Sequence, residues 1–227
     1  MEPMCSKCGK FICNPPSLKR GEEINLDDAP PFCPMKIRRD VLEKAFSEYN
    51  KEVKELARLA SIQEAECYER TDKGLRTIYP RVEELVLFSR KMGYKKLGIA
   101  FCSGLREEAR ILTEILENKG FKVISICCKT GAVSKEKIGV KPEEQIRPPE
   151  LFETMCNPIA QAFIMNEEKV DLAVMLGLCI GHDTLFIKYC KVPITVLVVK
   201  DRVFGHNPVM GLYLSRAPYY RRLLSKA

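Results

Sequence analysis

From residue 94 onward the chain repeats one pattern, a short apolar run followed by an amphipathic stretch. The runs are Lys96 to Phe101, Phe121 to Ile126, Leu172 to Leu176 and Ile194 to Val199. Between them lie helical periods over about 106–119, 157–168 and 184–189. Short runs that stay apolar without alternating suit strands buried on both faces, and parallel pairing of such strands needs a crossover element between each pair. The pattern therefore predicts an α/β fold over 94–227: an open, mainly parallel, doubly wound, Rossmann-like sheet with flanking helices.

Upstream the pattern differs. Ile37, Val41, Ala45, Tyr49, Val53, Leu56 and Ala60 recur every three or four residues, the period of one long amphipathic helix over 35–66. A second helix starts near Pro80, where proline suits the first turn, and runs to Gly93. Residues 35–93 thus read as a helical linker packed on the core. Residues 1–34 are rich in Cys, Pro and Gly, show neither period, and have too little apolar surface to fold alone. Disorder of the whole chain is excluded by its composition, 46% hydrophobic with only 13 Gly and 14 Pro in 227 residues.

Eleven cysteines need a role. Neither a signal-peptide pattern nor an apolar run of transmembrane length is present, so the chain reads as cytoplasmic, where disulfides are rare. Cys5, Cys8, Cys13 and Cys33 follow C-x2-C-x4-C-x19-C-P inside the coreless segment. Four soft thiolates in so short a stretch suit a metal whose binding free energy would also fold the segment. One C-x2-C knuckle with a terminal Cys-Pro favours a 4Fe–4S cluster, with zinc as the alternative at this N-terminal site and a loop of reduced cysteines as the bland reading.

The second group is scattered in sequence but not in the expected fold. Cys102 ends the first strand, Cys127 and Cys128 the second, Cys179 the third, and Cys156 precedes a helix. Ligand crevices of open parallel sheets lie at the carboxyl ends of the strands, so these positions share one rim. Adjacent strand residues point to opposite faces, and Cys128, beside Lys129-Thr130-Gly131, is the one assigned to the group. Singly, each thiol could be a small buried hydrophobe, as Cys67 and Cys190 are in their helical stretches. Jointly, Cys102, Cys128, Cys156 and Cys179 read as cofactor ligands. His182 and Asp183 reach the same rim as candidate catalytic groups, or as a structural His beside a helix cap. Lys200, Arg202 and His206 follow the fourth strand as donors for an anionic substrate group, or as a solvated turn.

Through Gly98-Ile99-Ala100-Phe101-Cys102-x-Gly104-Leu105, Cys128-Lys129, Cys156-Asn157-Pro158-Ile159, Gly177-Leu178-Cys179-x-Gly181-His182-Asp183 and Val199-Lys200-Asp201-Arg202-Val203-x-Gly205-His206-Asn207-Pro208, the sequence resembles a family of cysteine-rich metal-binding proteins of archaea and anaerobic bacteria, catalogued as a domain of unknown function. The resemblance covers almost the whole chain. It implies metal binding through cysteines and supplies no reaction.

Three function classes follow. The first is an iron–sulfur enzyme, a lyase or desulfurase acting on a small anionic or sulfur-containing substrate at the rim. The second is a non-catalytic zinc or iron–sulfur protein that serves a redox partner. The third uses Cys127, Cys128 or Cys179 as a reactive thiolate in sulfur transfer or redox sensing. The formal charge of +7 is spread over every segment without a basic stripe, so a nucleic-acid partner is not expected, nor is a membrane. Dinucleotide, NTP, serine-hydrolase and zincin motifs are absent.

Overall fold

The computed structural model describes residues 1–225. Two compact units divide it, residues 1–61 and the described residues from 62 onward. The first contains helices α1 (Pro34–Ile37), α2 (Arg39–Ser47) and most of α3 (Lys51–Glu66). The single helix expected over 35–66 is thus broken twice. Arg38 leaves the helical region at φ −142° and ψ 38°, and the Asn50 side chain accepts from the backbone N–H groups of Glu52 and Val53, capping a new start.

The second unit opens with a two-stranded antiparallel hairpin, β1 (Tyr68–Thr71) and β2 (Gly74–Thr77), followed by α4 (Arg81–Lys91). Then come β3 (Lys96–Phe101), α5 (Arg106–Asn118), β4 (Lys122–Cys127), α6 (Pro158–Glu167), β5 (Leu172–Leu176), α7 (His182–Tyr189), β6 (Ile194–Val198) and α8 (Val209–Tyr213). The large sheet has four parallel strands in the order β4-β3-β5-β6. After β3 the chain steps to one side to make β4 and then returns to the other side of β3 to make β5. The strand order therefore reverses beside β3, and a crevice opens beyond its carboxyl end.

Alternating residues of the central strands feed two cores. Leu97, Ile99, Phe101, Leu172, Val174 and Leu176 pack with Leu85 and Val86 of α4 and with Ala109, Leu112 and Leu116 of α5. Ala100, Ala173 and Met175 pack with Ala162 and Met165 of α6 and with Phe186 of α7. Both faces of the sheet are covered by helices, which is why β5 is buried at every residue.

Two side chains tie the sheet at opposite ends. The Asp171 carboxylate accepts from the N–H groups of Lys95 and Lys96 at 2.7 and 2.8 Å, setting β5 against the start of β3. At the other end the buried Gln161 amide donates to the carbonyls of Phe101 and Ile126 at 3.2 and 2.6 Å, clamping the last turns of β3 and β4 from beneath.

Gly177 ends β5 at φ +67°, and a Cβ there would overlap Cδ1 of Leu105, a residue only 2% exposed. The turn that carries Cys179 away from the sheet thus requires glycine. Gly177→Ala is expected to lower unfolding free energy by about 2–4 kcal/mol, combining left-handed backbone strain with overpacking. Denaturant unfolding measures this; a loss under about 1 kcal/mol would mean that Leu105 relaxes freely.

Candidate functional site

The rim is built by register. Phe101 pairs with Cys127 and with Leu176, so the residues that follow these strand ends emerge together. Cys102 N–H donates to Leu176 O at 3.1 Å, Cys128 N–H to Phe101 O at 2.9 Å and Asn157 N–H to Cys128 O at 2.7 Å. The last of these joins the two ends of the long connection between β4 and α6, so that Cys156 sits next to Cys128 although it is far away in sequence. Asn157 then caps α6 through its side chain, which accepts from Ala160 N–H at 3.0 Å.

The thiols form a row. Cys102 neighbours Cys128, and Cys128 neighbours Cys156, each near enough to shift the other's proton affinity. Cys156 feels the charge of Cys179. Backbone donors serve the buried end: Ser103 N–H reaches Cys128 Sγ at 3.3 Å, and Gly104 N–H bonds Cys102. At the other end Arg202 Nη2 donates to Cys179 Sγ at 3.0 Å. Cys127 lies outside the row and packs against the two apolar cores.

Protons are shared unequally along it. Cys102 is pushed up to about 12 by its neighbour Cys128 and by burial. For Cys128, contact with Cys102 favours the thiolate, but Cys156 and burial win and raise it. Cys156 is held down to about 6, first by its neighbour Cys128 and then because Lys129 lies beside it. Negative charge therefore collects on Cys156, the thiol next to a cation.

Cys102, Cys156 and Cys179 open on a cavity of about 470 Å³, whose wall includes Lys129, Lys135, Arg147, Glu153, His182 and Arg202. Lys135, Arg147 and Glu153 were not legible in the sequence, because they come from the irregular connection between β4 and α6, which has no period. Its order comes from Glu153, which is buried and accepts from Lys135 Nζ at 2.7 Å and from the N–H groups of Ile146 and Arg147 at 2.8 and 2.9 Å. These partners hold its carboxyl down at about 2, Lys135 contributing most. His182 lines the cavity half-buried, and desolvation together with Lys129 and Lys135 lowers its pKa below the usual imidazole value.

The remaining candidates are placed differently. Lys200 Nζ lies over Gly104, near Cys102 but outside the cavity lining. His206, at φ +67°, turns its Nδ1 to accept from Asp201 N–H at 3.1 Å and closes its own loop. Asp183 accepts from Thr184 N–H at 2.7 Å in the first turn of α7 and is likewise absent from the lining. Cys67 occupies the turn between α3 and β1, and Cys190 caps the end of α7, so both sit at element ends rather than within helices.

In the unit formed by residues 1–61, Cys5, Cys8, Cys13 and Cys33 all line one cavity of about 240 Å³, closed by Phe11, Ile12, Phe32 and Leu42. A short 3-10 turn over Cys5–Lys7 is closed by Cys8 N–H on Cys5 O, which brings the C-x2-C pair to one side. Among the described residues no three His, Cys, Asp or Glu side chains converge as a finished metal site at either place. At the rim the donor set suits a soft metal, and binding one requires the row of thiols to close into a ring.

Two outcomes follow from these charges. In chelator-treated chain, alkylation of Cys156 is expected to rise with a midpoint near pH 6 while Cys102 stays inert; peptide mapping after a brief iodoacetamide pulse checks it, and equal labelling of both would refute the unequal sharing. Glu153 has a depressed folded-state value, so the stability it adds is present above the unfolded carboxyl value of about 4.3 and is lost as pH falls toward about 2. Glu153→Gln should lower the melting temperature at pH 7 and converge on the parent near pH 2.

The chain has clear relatives. Residues 33–197 match the family model described as "Protein of unknown function (DUF1847)". An uncharacterized protein of Methanocaldococcus jannaschii is 38% identical over 221 residues, covering 97% of each chain. The family match spans both units and includes every rim cysteine, as well as Lys129, Lys135, Arg147 and Glu153. This chain belongs to the DUF1847 family.

Proposed function

We propose that the chain is an iron–sulfur protein with two cysteine centres, one held by Cys5, Cys8, Cys13 and Cys33 and one by Cys102, Cys128, Cys156 and Cys179, the second working on a small anionic or sulfur-containing substrate in the rim cavity. The observation that carries this reading is the thiol row, which gathers cysteines from the ends of three strands and the start of α6 at the mouth of a single cation-lined cavity. A cluster bound there supplies one-electron or Lewis-acid chemistry. The chain's own groups do the rest. Ser103 N–H, Gly104 N–H and Arg202 aim donors at cysteine sulfurs, which stabilises thiolates and tunes whatever they ligate. His182, neutral and beside the cavity, can accept a proton from a substrate or return one.

A second reading has its own support. Cys102, Cys128, Cys156 and Cys179 are four thiols, which is the complete ligand set of a single tetrahedral ion with no open position. A zinc or mononuclear iron rim site would serve structure rather than electron transfer.

Anaerobic purification with iron, zinc and sulfide analysis separates the two. The first reading expects iron with equimolar acid-labile sulfide and broad visible absorption. Cys8→Ser and Cys156→Ser should each remove one centre and leave the other. Colourless protein with stoichiometric zinc would establish the second reading, and full metal content in the double variant would refute both.

A further inference from the structure

We propose that the rim cavity binds a tetrahedral oxyanion, such as sulfate, sulfite or phosphate or the corresponding end group of a small ester, held by Lys129, Arg147 and Arg202. The inference deepens the function proposed above by naming the substrate's charged group, but it rests on side chains that hold no metal and on charges that need no titration.

The charge balance of the wall is positive even with Cys156 ionised. It contains Lys129, Lys135, Arg147 and Arg202, and among the described residues Glu153 is its single carboxylate. Glu153 is already committed, since it pairs with Lys135 at 2.7 Å and accepts two backbone N–H groups. Lys135 is neutralised by that pair. Lys129, Arg147 and Arg202 have no carboxylate partner among the described residues, although each stands beside the same half-enclosed space. Like charges lining one cavity repel more strongly than on an open surface, and an anion between them turns that cost into attraction.

The three cations are also held in place rather than left to wander. Lys129 Nζ donates to Thr154 O at 2.6 Å, Arg147 Nη1 to Phe152 O at 2.9 Å and Arg202 Nη2 to Cys179 Sγ at 3.0 Å. None of these anchors exhausts a guanidinium fork, which carries five donors. Two forks and one ammonium offer the multidentate, planar donor geometry that suits three or four oxygens around one centre, and exceed what a carboxylate can use.

The connection between β4 and α6 is built to deliver this wall. Lys135 N–H donates to Glu153 O at 3.0 Å, Met155 N–H to Val133 O at 2.8 Å, and Asn157 N–H to Cys128 O at 2.7 Å. Glu153 therefore does two things: it folds the loop that presents Arg147, and it removes Lys135 from the ligand set. A cavity of about 470 Å³ leaves room beyond the oxyanion for the rest of a small molecule next to Cys156 and His182.

The test is isothermal titration of the full chain, as purified, with sodium sulfate in a sulfate- and phosphate-free buffer. Sodium phosphate and sodium acetate form separate arms, and sodium chloride at matched ionic strength is the screening control. Saturable binding of sulfate or phosphate at one site per chain is expected, with acetate much weaker. Arg147→Gln and Lys129→Gln should each weaken it roughly tenfold to a hundredfold, the range of one lost charge-assisted hydrogen bond, whereas Lys188→Gln on α7, outside the cavity wall, should not. Melting curves confirm that each variant is folded, and the exposed position of Arg147 keeps that variant informative. Metal and sulfide are assayed on the same samples. Saturable sulfate binding in metal-poor protein would sink the iron–sulfur reading alone. Sulfate and phosphate that bind no better than chloride, or Arg147→Gln binding like the parent, would overturn the oxyanion site whatever the metal content.

Discussion

Everything at the rim depends on the parallel pairing of β3 with its two neighbours. Parallel strands must all end at the same edge, and the Asp171 carboxylate, by taking the N–H groups of Lys95 and Lys96, fixes the register in which β5 meets β3. With that register set, Cys102, Cys128 and Cys179 have no choice but to emerge at one side of the sheet. A slip of one residue would exchange the faces of β5, sending Val174 and Leu176 toward α6 and α7 and burying Met175 against α4 and α5. The two dissimilar cores, one rich in Leu and one in Ala and Met, thus guard the geometry of the thiols at the far end.

Burial alone would make all of these thiols inert. Desolvation raises the pKa of Cys102, Cys128 and Cys156 alike. What separates them is the sign of each neighbour's effect, since Cys128 raises Cys102 and lowers Cys156. Lys129 adds to the second effect because it stands beside Cys156. The result is a site whose charge is concentrated at the cavity wall and whose far end is a neutral, packed thiol. Ser103 and Gly104, at the turn before α5, provide the backbone donors that keep the buried end satisfied.

The sheet was legible in the sequence because its strands are covered on both faces. Four short, mainly apolar runs match the observed strands to within a residue or so, and turn glycines and polar flanks marked where they stop. The hairpin over Tyr68–Thr77 was not legible, since its residues are charged, polar and exposed, with no buried face to impose alternation. The breaks at Arg38 and Asn50 were hidden for the opposite reason: an apolar period of three to four survives a short interruption, and only the Asn50 cap signals a new start. Arg202 could be anticipated from its position after a strand, but His206 could not, because its left-handed backbone turns the imidazole into its own loop. Arg147 and Glu153 carry no sequence signal at all. Their roles come from long-range hydrogen bonds inside an irregular connection, which no local pattern encodes.

The two cysteine groups differ in their surroundings, and that difference assigns them different work on the proposed reading. The N-terminal four face a small cavity closed by Phe11, Ile12, Phe32 and Leu42, with no cation in its wall. A centre beside so small an apolar cavity has little room for a second molecule, which suits a structural staple or an electron relay. The rim thiols face about twice that volume, bordered by Lys129 and Arg202, which serve Cys156 and Cys179, and by Arg147, which touches no thiol. If the rim were only a staple, its cations would be a cost, because Cys156 offsets only part of a wall with four of them, and excess positive charge in a half-enclosed cavity destabilises the fold unless something negative occupies it. The wall around Lys129, Arg147 and Arg202 is therefore better explained by what enters the cavity than by what holds the sheet together.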